Sequence, residues 1–141
     1  MKNLPATAAD LRDVIGRLRR RLREQAPPGD LTWSQISALG HLYRMGQATV
    51  TELALLEGMR PQSMGAIITV LENAGLLVAL SDPADGRKKV YSPNEDCRRL
   101  IEGNRAQRDD WLVKTIQNKF SPEEQQRLSE AVELLARLAD A

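Results

Sequence analysis

The spacing of the apolar residues changes within this chain, and the change constrains the fold more than any other feature. As far as residue 75, apolar side chains recur every three or four positions, which is the period of amphipathic helices. Segments 76–80 and 90–92 instead have the short apolar form of β-strands, and the stretch between them consists of turn-forming residues with a basic tip. Helical spacing then resumes. The order of helices, hairpin and further helices predicts an α+β fold that is mostly α.

Three of the six predicted helices lie outside the central part of the sequence. The first covers 7–25 and is stopped by the Pro-Pro-Gly run at 27–29, and the fifth covers about 94–119. The sixth follows the cap Ser121-Pro122-Glu123-Glu124 and has one apolar face. We interpret 1–141 as a single domain in which the helices of 7–25 and 94–140 serve dimerisation.

The second and third helices are predicted from their first turns. Thr32 followed by Gln35, and Thr49 followed by Glu52, have the spacing of capping boxes, in which side chains satisfy the free backbone N–H groups of a helix start. Each of these helices ends at a glycine. A fourth helix begins after Arg60 and ends near residue 75.

Apolar stripes at the two ends of the chain predict self-association. The central segment has apolar residues of its own for a core: Ile36, Leu39, Leu53, Ile67, Leu71 and Val78. The terminal stripes therefore need another partner, and two-fold pairing of identical chains is the commonest arrangement. These stripes are formed by Leu11, Leu18, Leu128, Val132, Leu135 and Leu138.

Helices three and four are short, are joined by the tight turn Glu57-Gly58-Met59, and are followed by the hairpin. This order is typical of a winged helix-turn-helix, which places the first turn of its second helix against base edges in the DNA major groove. We therefore interpret 32–92 as a DNA-binding lobe. Glutamine can pair with adenine, and alanine can contact a thymine methyl group. The fourth-helix residues that we assign to DNA are Arg60, Gln62, Ser63 and Ala66.

The tip of the hairpin carries the consecutive cations Arg87, Lys88 and Lys89. Side chains of this length reach the phosphate backbone or a minor groove beside the main contact. Asp85 lies two residues before Arg87, where it is placed to orient the guanidinium. A solubilising loop tip is the alternative interpretation, because most charge runs only face solvent.

Three of these stretches resemble the MarR family of bacterial regulators: 49–54, 60–76 and the wing segment 82–87. The similarity extends over essentially the whole chain. It implies a dimer formed by the first helix and the last two, with the wing arginine, here Arg87, in the minor groove. It also implies a small aromatic or phenolic effector bound between the dimer region and the DNA-binding region. For this effector we assign Arg17, Arg21, His41 and Trp111.

The chain departs from the family pattern in the fourth helix, where Gly65-Ala66 stands in place of a common Ser or Thr followed by Arg. This departure indicates differently tuned base recognition. Together with a net charge of only +1, it leaves a winged-helix protein-interaction module, with weak or no DNA binding, as the alternative to a ligand-responsive repressor on a palindromic operator. The loss of DNA affinity with salt separates the two.

Other function classes find little support in the sequence. It contains no glycine-rich phosphate loop and no metal-ligand spacing, and His41 and Cys97 are far apart, so we predict neither an enzyme nor a cofactor or metal. No apolar run approaches the ~20 residues that span a membrane. The single cysteine, in the first turn of the fifth helix, fits a reducing cytosol and is interpreted as a structural thiol. We expect a cytoplasmic protein.

Overall fold

The computed structural model describes residues 3–27, 29–81 and 83–141 of the chain. Its described part contains six α-helices and one antiparallel two-stranded sheet, which confirms the predicted α+β, mostly helical fold. Pro28 and Asp82, which belong to the predicted helix stop and the predicted wing segment, lie outside the described residues. In chain order the elements are α1 (Leu4–Gln25), α2 (Trp33–Met45), α3 (Val50–Glu57), α4 (Pro61–Asn73), β1 (Leu77–Ser81), β2 (Lys89–Pro93), α5 (Glu95–Lys119) and α6 (Pro122–Ala139).

The chain forms two compact units. The central unit is Ala26–Arg105, and the terminal unit consists of α1 together with the chain from Ala106 to Ala141. Helix α5 therefore contributes residues to both units. None of the helices within the described residues is long and apolar enough to cross a membrane.

Side-chain caps start α2, α3 and α6 where the sequence predicts them. In each, a hydroxyl accepts the backbone N–H of the third helical residue, whose own side chain accepts the N–H of the capping residue. Helix α1 begins at Leu4 rather than at residue 7, because Asn3 Oδ1 accepts a hydrogen bond from the N–H of Ala6 at 2.8 Å. The capping pairs are Thr32 with Gln35, Thr49 with Glu52, and Ser121 with Glu124.

The capping box of α3 makes a testable contribution to stability. Hydrogen bonds from the backbone N–H and the side chain of Thr49 hold the pKa of Glu52 below 4.5. Because the folded-state pKa is depressed, this contribution is present above the unfolded value and is lost as the pH falls through the folded value. We expect Thr49→Ala to lower the free energy of unfolding by about 1 kcal/mol at neutral pH. We also expect the difference from wild type to shrink at pH values below 4.5, where Glu52 becomes protonated.

Urea unfolding followed by circular dichroism measures both effects. Thr49→Ser is the matched control, because it retains the capping hydroxyl and removes only a methyl group. Equal loss of stability in the alanine and serine variants, at either pH, would show that packing of the buried Thr49 methyl matters and the cap does not.

The core of the central unit is almost entirely aliphatic. Among the predicted core residues Leu39, Leu53 and Leu71 are fully buried, and Ile36 and Ile67 are half-buried. The prediction for Val78 is wrong, because this residue is 42% exposed. Successive residues of a strand face opposite sides, and in β1 it is Leu77 that points inward.

A short bridge attaches the hairpin to the start of α3. The N–H of Ala48 donates to the carbonyl of Tyr91 at 2.9 Å, and the N–H of Tyr91 donates to the carbonyl of Ala48 at 2.8 Å. Ala48 immediately precedes the α3 cap, and both bridge residues are buried. The middle of β2 is therefore fixed to the residues just before α3.

Candidate nucleic-acid interface

Helix α4 has one buried and one exposed face. Met64, Ile68 and Leu71 are at most 2% exposed and pack in the core of the central unit. The helical period directs the side chains in between to the opposite face. The fourth-helix residues assigned to DNA from the sequence are all exposed: Arg60, Gln62, Ser63 and Ala66.

The first turn of α4 lacks a side-chain cap. Arg60 occupies the capping position with extended backbone, and its side chain makes no capping hydrogen bond. Pro61 has no N–H, so the free backbone donors of this turn belong to Gln62 and Ser63. Such donors, together with the positive end of the helix dipole, favour an anion such as a phosphate group. The capped starts of α2, α3 and α6 contrast with this arrangement.

The turn before α4 is held by residues of both α2 and α3. Gly58 adopts the left-handed conformation at φ 65°, which ends α3. The neighbouring Glu57 carboxylate accepts a hydrogen bond from the Ser37 hydroxyl and lies 2.7 Å from His41 Nε2. The other ring nitrogen of His41, Nδ1, is 3.0 Å from Arg44 Nη2. Because a guanidinium only donates, Nδ1 is the acceptor in this contact, and Nε2 faces the carboxylate of Glu57.

A groove of about 280 Å³ lies between the first turn of α3 and the wing. The wing is the tip of the hairpin, which carries Arg87, Lys88 and Lys89. The basic wing residues form one side, and the positive charge of Lys88 contributes to lowering the pKa of Glu52 at the start of α3. The three cations on the wing side therefore favour an anion such as a phosphate group in this groove. Its lining consists of Thr49, Val50, Thr51, Arg87, Lys88, Lys89 and Tyr91.

Asp85 organises the backbone of the wing and not the guanidinium that the sequence analysis expected it to orient. Its carboxylate Oδ1 accepts the backbone N–H of Arg87 at 3.1 Å, and its carbonyl accepts the N–H of Lys88 at 3.0 Å. Aspartate commonly bonds the backbone two residues ahead in this way. The Arg87 guanidinium makes no ion pair with any described residue and stays exposed.

The basic residues of the central unit differ in whether their side chains have a partner. Its sequence contains eight basic and nine acidic side chains, so the unit as a whole is not basic. Arg98 and Arg99 pair with acidic neighbours in the first turns of α5, and Arg105 lies over the ring of Tyr43 at 4.8 Å. Arg44 contacts His41. The exposed cations whose side chains make no salt bridge, hydrogen bond or ring contact with described residues of this unit are Arg60, Arg87, Lys88 and Lys89.

The residues assigned to an effector make contacts within their own units. In the terminal unit the Arg21 guanidinium lies 5.2 Å from the centroid of the Trp111 ring and also pairs with Glu24, while Arg17 pairs with Asp13. In the central unit His41 belongs to the Glu57 network described above. Their role in effector binding stays a prediction.

Cys97 is fully buried in the core of the central unit. Burial raises the pKa of its thiol to about 11, despite its place in the first turn of α5. This environment agrees with the interpretation of a structural thiol. Among the residues that the structure describes, no group of three His, Cys, Asp or Glu side chains is placed to hold a metal ion.

Two exposed residues of α4 were missing from the predicted DNA contacts, which were confined to the first half of this helix. Thr69 and Val70 lie three and four positions after Ala66 and share its exposed side. The helical period measured from Ala66 is the signal that identifies them.

The helix-turn-helix with its attached wing defines the class of this protein, a winged-helix transcription regulator. Residues 29–88 match the model of the MarR family. A helix-turn-helix-type transcriptional regulator of Mycobacterium tuberculosis is 33% identical over 133 residues, which are 94% of this chain and 92% of the relative. The chain belongs to the MarR family of DNA-binding regulators, whose members are not enzymes.

Solved structures agree with this assignment. A transcriptional regulator protein from Pseudomonas aeruginosa has a TM-score of 0.88 and 36% identity, with 100% of this chain and 99% of that chain covered. A mutant of Staphylococcus aureus MepR bound to an oligodeoxyribonucleotide has a TM-score of 0.72 and 20% identity, with 94% and 97% covered. At this identity the MepR complex shows the shared fold.

Proposed function

We propose that the protein is a cytoplasmic, ligand-responsive repressor that binds a palindromic operator as a homodimer. Helix α4 enters the major groove and the wing reaches the adjacent minor groove or its phosphates. One observation carries this proposal: the first turn of α4 has no side-chain cap and bears the exposed Arg60. The other cations of this unit whose side chains have no partner among the described residues lie on the wing. Both are anion-binding features, and both belong to the unit that contains the helix-turn-helix.

The groove between α3 and the wing supplies the proposed phosphate contacts. Thr51 lines it from the first turn of α3, and Lys88 and Lys89 line it from the wing. A phosphate held here positions the duplex without reading its sequence. Base readout then falls to α4, with Gln62 opposite an adenine and Ala66 opposite a thymine methyl.

The proposed dimer follows from apolar side chains that the terminal unit leaves exposed. Ile15 and Leu18 of α1 are about half exposed, and so are Val132 and Leu135 of α6. A two-fold dimer would cover such surfaces and place two α4 helices about 34 Å apart, one helical turn of B-DNA.

The proposed effector is a small aromatic or phenolic molecule, and it rests on membership of the family. The contact between His41 and Glu57 supports this effector, because it links α2 to the turn before the DNA-binding helix. A ligand that takes over the Nε2–H of His41 would compete with Glu57, the last residue of α3. The link between α2 and the turn before α4 would then change.

Selection of DNA from a random-sequence library by the full-length protein tests the proposal. The recovered duplex is then titrated at increasing salt, with fluorescence anisotropy as the readout. We expect a palindromic consensus and a steep loss of affinity with salt, because phosphate contacts release counterions.

A protein-interaction module is the second candidate. It is favoured by Leu55, which is 83% exposed in the central unit, and by the excess of acidic residues there. Failure to enrich any sequence, together with no salt-dependent binding to duplex DNA, would favour this module and contradict the repressor.

Gln62 gives a specific prediction within this proposal. Gln62→Ala is expected to relax base preference at one step of each half-site, at a cost of ~1–3 kcal/mol in discrimination, because it removes a bidentate contact to adenine. Affinity for nonspecific DNA should stay unchanged. Gln107→Ala, an exposed glutamine of α5 in the terminal unit, is the control. An unaltered consensus after repeated selection with Gln62→Ala would show that this position reads no base.

A further inference from the structure

We infer that α4 reads thymine methyl groups through an apolar row formed by Ala66, Thr69 and Val70. The inference rests on the proposed function and deepens it, since it names two further specificity-determining residues and the base feature they recognise. Each of the three is exposed on the side of α4 opposite the buried Met64 and Ile68. Val70 is 44% exposed, although an aliphatic side chain gains from burial.

The hydroxyl of Thr69 is already engaged within the helix. Its Oγ1 donates to the carbonyl of Gly65 at 3.0 Å, a bond to the residue four positions earlier. This donor is therefore occupied, and the γ-methyl group remains for contact with a partner. Thr69 thus presents apolar surface beside Ala66 and Val70.

Beyond Arg60 at the capping position, α4 contains no residue for the commonest readout of guanine. Bidentate recognition of guanine in the major groove uses arginine or lysine, and Pro61–Asn73 contains neither. Beyond its polar first turn, α4 therefore presents methyl groups in the middle of its exposed face. In the major groove the C5-methyl of thymine is the base feature that such groups contact.

Gly65 supports close approach of DNA beside this row. A Cβ atom at Gly65 would meet no atom within 4 Å, and its φ is not positive, so neither packing nor backbone conformation requires glycine here. Glycine within a helix is also less favourable than alanine. We attribute Gly65 to DNA binding. Because it has no side chain, the wall of the major groove can come close to the helix next to Ala66 and Thr69.

Deoxyuridine substitution tests the inference directly. Uracil lacks only the C5-methyl of thymine and keeps its hydrogen-bonding groups, so each thymine of the selected duplex is replaced in turn and the affinity of the full-length protein is measured. We expect about a fourfold loss of affinity at each contacted position, because one buried methyl group is lost there. We call this loss the uracil penalty. At least two positions in each half-site should respond.

Variants then assign each position to a side chain. Thr69→Ser keeps the hydroxyl and removes the methyl, so its uracil penalty should disappear at one position, whereas Thr69→Val keeps the methyl and should retain the penalty. Val70→Ala should remove the penalty at a second position. Thr7→Ser, on the exposed surface of α1 in the terminal unit, is the control and should leave every penalty unchanged.

The outcomes separate this inference from the proposed function. A selected duplex bound with steep salt dependence but without any uracil penalty would overturn the inference and leave the repressor intact. Penalties that persist in both Thr69→Ser and Val70→Ala would likewise overturn it. Absence of DNA binding by the wild-type protein would overturn both.

Discussion

Replacement of both Val132 and Leu135 by glutamate is expected to convert the proposed homodimer to a monomer and to abolish binding to the proposed operator without removing a DNA contact. The two residues lie on one side of α6 and are 54% and 41% exposed in the single chain. Full burial of an aliphatic side chain contributes ~1.5–3 kcal/mol, and these side chains are already about half buried in the single chain. A two-fold interface contains each residue twice, so the four sites together account for about 3–6 kcal/mol. That is roughly a 10²- to 10⁴-fold change in dimer dissociation. A monomer presents only one α4 helix and loses the second half-site.

Leu128 is less suitable for this experiment, although it belongs to the same predicted stripe. It is half-buried and lines a groove of the terminal unit with Phe120, so a charge there would disturb the folded chain itself. Light scattering across a concentration series gives the mass, and circular dichroism checks the fold. Gln126→Glu with Ser129→Glu adds the same charge to the polar side of α6 and should remain a dimer. A wild-type protein that binds one palindrome as a folded monomer would contradict the proposed architecture.

Removal of the three wing cations should have the second largest effect. In Arg87→Gln/Lys88→Gln/Lys89→Gln the groove beside α3 keeps its shape but loses its positive side. Each cation that neutralises a phosphate accounts for about 0.9 of the slope of log affinity against log salt, so two wings of a dimer account for up to about five units. We expect affinity at low salt to fall by about a hundredfold or more for every DNA sequence.

The control for this experiment removes cations from elsewhere in the same unit. Arg98→Gln/Arg99→Gln neutralises two arginines that are paired with Glu95 and Asp96 in α5. It tests whether net charge or position matters, and it should change the salt slope little. A wing variant with the wild-type slope would show that the wing does not contact phosphates.

The boundaries of most helices could be predicted from the sequence because capping is local. Thr49 and Glu52 lie three residues apart, and their reciprocal hydrogen bonds form wherever that segment becomes helical. The wing turn is similarly local, since the Asp85 carboxylate bonds the backbone only two residues ahead. The error at Val78 has a different origin. In a short apolar run such as 76–80 the pattern does not reveal which alternate residues face inward, and packing against the helices decides it.

The sequence by itself determined the helix starts, the turn chemistry and the concentration of cations at the wing, because each depends on residues within a few positions of one another. The tertiary structure alone decided which groups meet across long separations in the chain. Ser37 and Glu57 are 20 residues apart, and Ala48 pairs with Tyr91 only because the hairpin folds back onto the start of α3. Burial of Cys97 has the same origin, and it raises the pKa of a thiol that a helix start alone would lower. Such contacts depend on how whole elements pack, and that information is spread over the entire core.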